Sequence, residues 1–412
     1  MSAMSPEHKA AMTPGTGTAS SPNILLVTTL YPTHTGQSAE ERTYALHRMV
    51  KRWQGAAQVL VVVPRFIYAR GLLRSGMRSV PWRVRGESID GIRVVSCPVF
   101  KIPRIGYWYG RLYTFARAGG FRPDLVLAHY GKSIQAGYHI ARSLGLPFVA
   151  GLHIIPELDR PDPAAFRHSH YCYLAYASAV ACRSPLILRR ASEFLPELAE
   201  KMFPLYSGVE AGTVVGFEQA RARLSAWRSG GCLRVVTAAK LLPQKNVDTV
   251  IRALGSLHGI DWKLTVLGNG PQMKPLRELA MKLAGKRVEF RGWVPAVEVR
   301  AELEGSHLFI MVSAPETMGI AYLEAMAAGA LVIGSRGQGI DGIVRDGENG
   351  FLVPAGDLDS LSELLARLTR RSGAINLEGI IRRSLHTIRS LDEERIAAAY
   401  LERLRGITAR GV

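Results

Sequence analysis

Two acidic side chains eight positions apart, Glu316 and Glu324, bracket Met318, Gly319 and Ile320 in the run ETMGIAYLEAMAAG. The alanine, leucine and methionine content after Gly319 favours a helix, so Glu316 falls on a loop and Glu324 on the helix it leads into. Unpaired amides and the dipole at such a helix start attract anions, phosphate above all, while nearby carboxylates accept hydrogen bonds from hydroxyls. A phosphate beside a polyol describes a nucleotide sugar, with Glu324 on the ribose hydroxyls and Glu316 on those of the sugar. A helix-dipole partner and a solvated loop charge would leave the same pattern. Lys240 and Lys245, five positions apart on a loop, supply cations that can neutralise a diphosphate leaving group, where negative charge grows as a glycosidic bond to phosphate breaks; they also fit a solvated face.

These residues need rigid elements behind them. Leu308 to Val312 reads as a buried strand, ended at Pro315 because proline cannot donate to a ladder; a helix follows to about Ala328, and Leu331 to Gly334 begins another strand. Strands at Leu233 to Thr237 and Leu264 to Leu267 precede the two lysines and the turn Gly268-Asn269-Gly270. Toward the N-terminus, strands at Ile24 to Thr29, Gln58 to Val63, Ile92 to Val99, Asp124 to Ala128, Pro147 to Gly151 and Val180 to Cys182 alternate with helical stretches. One helix runs from Ser38, in a capping box with Glu41, to about Trp53; others lie near 105–118 and 132–144. Phe66 to Gly91 shows no steady period and reads as a basic loop or short-helix excursion. This alternation predicts an α/β fold with parallel sheets. Open sheets of that kind bind ligands at strand C-terminal ends, where His153 falls; a histidine satisfied within the structure fits equally.

The ETMGIAYLEAMAAG run, followed by GQGIDGIVRDGENGFLV, resembles the signature of family-four retaining glycosyltransferases. The resemblance implies a GT-B fold: two Rossmann-like domains facing across a cleft, with the last helix crossing back to the N-terminal domain. It implies Glu316 on the donor sugar, Glu324 on the ribose, and the amides of Met318, Gly319 and Ile320 on sugar and diphosphate. Lys245 matches the family's lysine directly. Lys240 replaces an arginine, which keeps the charge and loses the planar fork. His153 matches a histidine that points at the donor sugar. Gly36 stands where the family has a Gly-Gly turn, with Gln37 in the second place. Gly268 and Gly270 suit a turn beneath the nucleotide, and Val294 the segment whose backbone faces the base. Tyr206-Ser207-Gly208-Val209-Glu210 resembles the N-G-V-D turn into the second domain. The implied layout is a disordered tail over 1–21, an acceptor domain over 22–206, a nucleotide-sugar domain over 207–385 and a returning helix over 386–412.

On this reading the enzyme moves a sugar from a nucleotide-diphosphate sugar to a lipid-linked or saccharide acceptor, in the manner of bacterial surface-polysaccharide transferases. The diphosphate takes the acceptor's proton, and no cofactor or metal is expected because lysines supply the positive charge. Two rivals stay open. A sugar-nucleotide epimerase would need further acids and bases that the sequence does not display, and Lys240 and Gln37 leave room for a nucleotide-sugar-binding module without transfer.

With 412 residues and 47% hydrophobic content the chain holds two full cores, and disorder as a whole is excluded. Residues 1–205 carry 25 basic against 12 acidic side chains, and so +13 of the net +18. Within them the stretch 65–122 holds twelve basic residues and two acidic ones, interleaved with aromatics such as Trp82, Tyr107, Trp108 and Tyr113. Such a face suits an anionic membrane surface, and a merely basic solvated face would look the same; no nucleic-acid-reading motif accompanies it. No apolar run is long enough to span a bilayer and no hydrophobic signal core stands at the N-terminus. The expected location is therefore the cytoplasm, peripheral on the inner face of the plasma membrane. Cys97, Cys172, Cys182 and Cys232 form no C-x-x-C pair and read as reduced thiols. His168, His170 and Cys172 lack a second ligand pair for zinc, and Asp357 and Asp359 read as the start of a helix.

Overall fold

Each of the central apolar runs sends alternate side chains into two different cores, as a sheet covered on both faces requires. In the first strand Leu25 and Val27 enter one cluster while Ile24 and Leu26 enter another. The same split divides Val235 from Val236, and Leu308 and Ile310 from Phe309. The computed structural model describes residues 21–37, 44–68, 84–102, 106–109, 120–153, 162–370 and 375–410. The tail over 1–20, the Ser38 to Glu41 cap and much of the basic stretch, Arg70, Arg74, Arg78, Arg83, Arg104, Arg111 and Arg117 among it, lie outside the described residues.

The first sheet contains β1 (Asn23–Thr28), β2 (Gln58–Tyr68), β3 (Arg85–Ile89), β4 (Ile92–Ile102), β5 (Gly106–Trp108), β6 (Leu125–His129), β7 (Phe148–Leu152), β8 (Ala179–Cys182) and β9 (Met202–Pro204). Their order is β3-β4-β2-β1-β6-β7-β8-β9, with β5 also on β4. All pairings are parallel except those of β3 and β5 with β4. The second sheet is wholly parallel, built from β10 (Leu233–Ala238), β11 (Trp262–Leu267), β12 (Val288–Gly292), β13 (Leu308–Ile310), β14 (Leu331–Ser335) and β15 (Phe351–Val353) in the order β12-β11-β10-β13-β14-β15. These are the two Rossmann-like halves of a GT-B fold.

Two expectations need correction. The 66–91 stretch is strand at both ends: β2 runs on to Tyr68, and β3 forms a hairpin with β4 across Asp90 and Gly91, whose φ angles are 50° and 79°, while residues 69–83 lie outside the described ones. Asp-Gly with both residues at positive φ is a turn that favours strand pairing. The expected helix near 105–118 gives way at its start to β5, an antiparallel edge strand, and residues 110–118 lie outside the described ones. The first helix is described over Ala45–Lys51.

Two chain crossings join the halves, and they run side by side. Val209 N–H donates to the Leu391 carbonyl at 3.0 Å, and Glu393 N–H to the Val209 carbonyl at 2.9 Å. The last helix, Glu393–Arg410, then packs on the first sheet. Its Ala397, Tyr400, Leu401 and Leu404 share a core with Ile24, Leu26 and Trp53, and the Trp53 indole donates to the Ala397 carbonyl at 2.8 Å.

Candidate functional site

In each sheet the strand order reverses direction once near the middle, between β1 and β6 and between β10 and β13. Loops leaving such a pair diverge and open a crevice at the strand C-termini. The two crevices face each other across a cavity of about 400 Å³. Leu30 and Tyr130 line it from the first sheet; Ala238, Ala239 and Met311 line it from the second. His153, Lys245, Glu316, Met318, Gly319 and Ile320 all reach this one space.

The loop after β13 holds Glu316 at both backbone ends. Its N–H donates to the Gln338 side chain at 2.9 Å, and its carbonyl accepts from Gly339 N–H at 2.9 Å. Lys245 Nζ donates to Glu316 Oε2 at 2.6 Å, and Ser313 Oγ donates to the same oxygen at 3.2 Å. Oε1 has no protein hydrogen bond among the described residues. The carboxylate is thus fixed through one oxygen and offers the other, and Lys245 keeps two of its three N–H donors.

Glu324, one turn into the helix Ile320–Ala327, lines an adjoining cavity of about 310 Å³ with Arg48, Val297, Arg300 and Glu393. Ile320 lines both spaces. Burial raises the Glu324 carboxyl pKa, the Arg48 guanidinium opposes that, and Glu393 adds to it. The two glutamates therefore face different compartments, with the helix start between them.

The wall from the first sheet is a buried polar chain. His153 Nε2 is hydrogen-bonded to His129 Nδ1 at 2.8 Å, and His129 Nε2 to the Tyr400 hydroxyl of the last helix at 3.1 Å. A Cβ on Gly151 would lie 2.1 Å from the His129 ring, so only glycine leaves that ring its place. Burial lowers the His129 pKa to about 3, with Arg183 adding to the effect; burial, then His129 and Arg183, puts His153 well below its usual value. Both imidazoles are neutral at physiological pH. Arg183, just past β8 and 6% exposed, lines the cavity too and donates from Nη2 to Ser207 Oγ at 2.6 Å.

Other expected site residues stand elsewhere. Gly36 is exposed on the loop after β1, where Thr35 N–H reaches the Glu87 carboxylate at 3.3 Å, and it does not line the cavity. Lys240 is exposed and outside both cavities. The backbone around it is committed: Ala239 N–H donates to the Leu267 carbonyl at 3.0 Å and Leu241 N–H to that of Asn269 at 2.8 Å. Gly268 and Gly270 belong to this pairing. A Cβ on Gly268 would sit 2.0 Å from the Ala239 carbonyl oxygen, and one on Gly270 2.3 Å from that of Leu241. What the geometry gives them is close packing of two loops. Val294 is partly buried against the core that holds Tyr322 and Met326, and lines neither cavity. Asp341 accepts from Gly337 N–H at 2.7 Å, and Asp357 caps its helix through Ser360 N–H at 3.0 Å. Among the described residues no group of three or more His, Cys, Asp or Glu side chains is placed to hold a metal ion.

Sequence reasoning passed over Arg183, His129, Tyr400 and Ser313. Arg183 and His129 had a usable signal, since each stands at the C-terminal end of a predicted strand. Tyr400 had none, being brought in only by the returning helix.

A family model described as "Glycosyl transferases group 1" matches residues 230–377, and one described as "Glycosyl transferase 4-like domain" matches residues 42–202. The chain belongs to the family-four GT-B glycosyltransferases. It spans about half the length of the curated relatives it matches. One is the lipopolysaccharide core biosynthesis glycosyltransferase LpsE of Rhizobium meliloti, 28% identical over 197 residues, which are 48% of this chain and 55% of the relative. Another is the GDP-mannose-dependent alpha-(1-6)-phosphatidylinositol monomannoside mannosyltransferase of Mycolicibacterium smegmatis, 32% identical over 205 residues, 46% of this chain and 53% of that protein. Among solved structures, Anabaena HepE in complex with UDP and glucose superposes with a TM-score of 0.66 at 18% identity, covering 93% of this chain and 100% of HepE. At that identity the likeness is one of fold.

Proposed function

We propose that this family member is a retaining glycosyltransferase that moves a sugar from a nucleoside-diphosphate sugar to a lipid-linked or saccharide acceptor in cell-surface polysaccharide or glycolipid assembly. The observation that carries the proposal is Glu316, held through Oε2 by Lys245, with Oε1 free of protein hydrogen bonds among the described residues, in the lining of a cavity that His153 also walls. The names of LpsE and the mannosyltransferase, and the UDP and glucose held by HepE, support the class of donor and pathway.

On this reading residues 207–385 hold the donor, residues 22–206 receive the acceptor, and 386–412 tie the two. Glu316 Oε1 accepts from hydroxyls of the sugar, Glu324 from the ribose, and Lys245 stands beside the departing phosphate. The acceptor hydroxyl approaches the anomeric carbon on the face the phosphate leaves. The bond from carbon to phosphate oxygen breaks as the new glycosidic bond forms, and the hydroxyl proton passes to the released phosphate oxygen. Lys245 opposes the charge that builds on that oxygen, and closure of the two domains excludes water and limits donor hydrolysis.

Turnover of uridine, guanosine and adenosine diphosphate sugars with a lipid-linked acceptor, read by product formation and by NMR of the new anomeric centre, tests this. Glu316→Gln and Lys245→Ala are each expected to lose roughly 10² to 10³ in kcat/KM with an unchanged circular dichroism spectrum. Equal turnover in both variants removes the site. A wild type that binds donor and never transfers it supports a binding module instead.

The excess positive charge of the first half supports docking on the anionic inner face of the plasma membrane. No helix among the described residues is long and apolar enough to cross a membrane. Flotation with anionic liposomes should carry the protein and weaken as salt rises; equal flotation with neutral liposomes counts against this docking.

A further inference from the structure

The cavity between the sheets has an unbalanced charge. Lys245 is matched by Glu316 at 2.6 Å, and His153 and His129 are neutral. Arg183 is left over. It lies 94% buried by its 6% exposure, and among the described residues no carboxylate pairs with it. Among the described residues its one side-chain hydrogen bond goes to the uncharged Ser207. The acid that acts on it electrostatically, Glu393, is already taken by Arg48 at 3.0 Å and Arg52 at 3.1 Å. Burial lowers the Arg183 pKa to about 10, which still leaves a full cation at neutral pH.

A buried guanidinium with no counter-ion is unfavourable unless something supplies the charge, and its planar fork suits an oxyanion held through two oxygens. We propose that Arg183 is an anion receptor on the first-sheet wall of the cavity, and that the substrate filling the cavity presents a phosphate or carboxylate to it. The carrier is the diphosphate of the donor, a phosphate on the acceptor, or an acidic group on a sugar; naming these carriers rests on the glycosyl-transfer reading, whereas the anion site itself does not. Arg183 would then stand across the cavity from Lys245, supplying the fork that Lys240, exposed and outside the cavity, does not.

The plainer alternative makes Arg183 a strut between β8 and the crossing at Ser207. Calorimetry separates the two, using the full chain with inorganic pyrophosphate and, in a second arm, free glucuronate. Arg183→Met is expected to bind pyrophosphate at least tenfold more weakly than wild type while keeping a cooperative melt. Arg183→Gln, which retains an N–H donor for Ser207 and discards the charge, should show the same loss and serves if the methionine variant does not fold. Loss confined to pyrophosphate names a phosphate group; loss that includes glucuronate extends the receptor to sugar acids. Wild-type affinity for both anions in the folded variants, or no binding of either anion by wild type, overturns the proposal. Failure to transfer sugar with anion binding intact would sink the transferase reading alone; transfer with anion binding indifferent to Arg183 would sink the receptor alone.

Discussion

Glu316 is poised because its backbone leaves it little choice: Gln338 and Gly339 fix the loop, and Lys245 and Ser313 hold one oxygen. The opposite wall is set by burial of His129 and His153, which has a measurable consequence. Their folded-state pKa values lie below the ordinary 6.5, so the unfolded chain binds more protons as pH falls below that value. The stability these rings contribute is complete above about pH 6.5 and is lost progressively as pH drops toward 3. Thermal melts should show Tm falling over that interval, and His129→Phe should flatten the fall. The same variant is expected to cost about 1 to 3 kcal/mol at neutral pH, because the Tyr400 hydroxyl and His153 lose a buried partner; equal slopes in variant and wild type would refute the assignment. Of this site the sequence displayed Glu316, Lys245 and His153, since each sits in a motif or at a strand end. The Arg183 to Ser207 bond and the Tyr400 link were invisible, because their partners lie 24 and 271 positions from the residues they meet.

At the scale of elements, the loops behind the cavity are positioned by backbone fit. Gly268 and Gly270 let the turn after β11 press against residues 239–241, with φ angles of 120° and 159°. Gly268→Ala is expected to destabilise the fold by about 2 to 4 kcal/mol in urea unfolding, since the new methyl meets a carbonyl oxygen rather than a movable side chain. An alanine tolerated without change would mean the two loops are free to part. Most strands were legible, because parallel strands buried on both faces leave continuous apolar runs such as those of β1, β6, β7 and β14. β3 and β5 were not. β3 reads Arg-Gly-Glu-Ser-Ile, four polar or small residues with a single buried side chain, and its cue was the turn at Asp90-Gly91.

Over the whole molecule, the two halves are coupled where the crossings meet. Glu393 takes Arg48 and Arg52 from the end of the first helix, and Arg52 also reaches Glu210 at 3.4 Å. Glu393→Gln would take the carboxylate from Arg48 and leave Arg52 only the exposed Glu210, and a loss of about 2 kcal/mol is expected. Differential scanning calorimetry checks it: a single transition shifted down fits a shared joint, and an unchanged Tm rejects it. The returning helix has a further consequence, for synthesis. One face of the first sheet, with Ile24 and Leu26, and Trp53 just after the first helix are covered in part by Ala397, Tyr400, Leu401 and Leu404. While the chain is being made, the part of that greasy surface that the first helix does not cover waits exposed through the translation of the entire second sheet. Nascent protein should therefore lean on chaperones until residues 397–404 clear the ribosome, and a premature stop shortly before them should yield aggregate rather than a shortened enzyme.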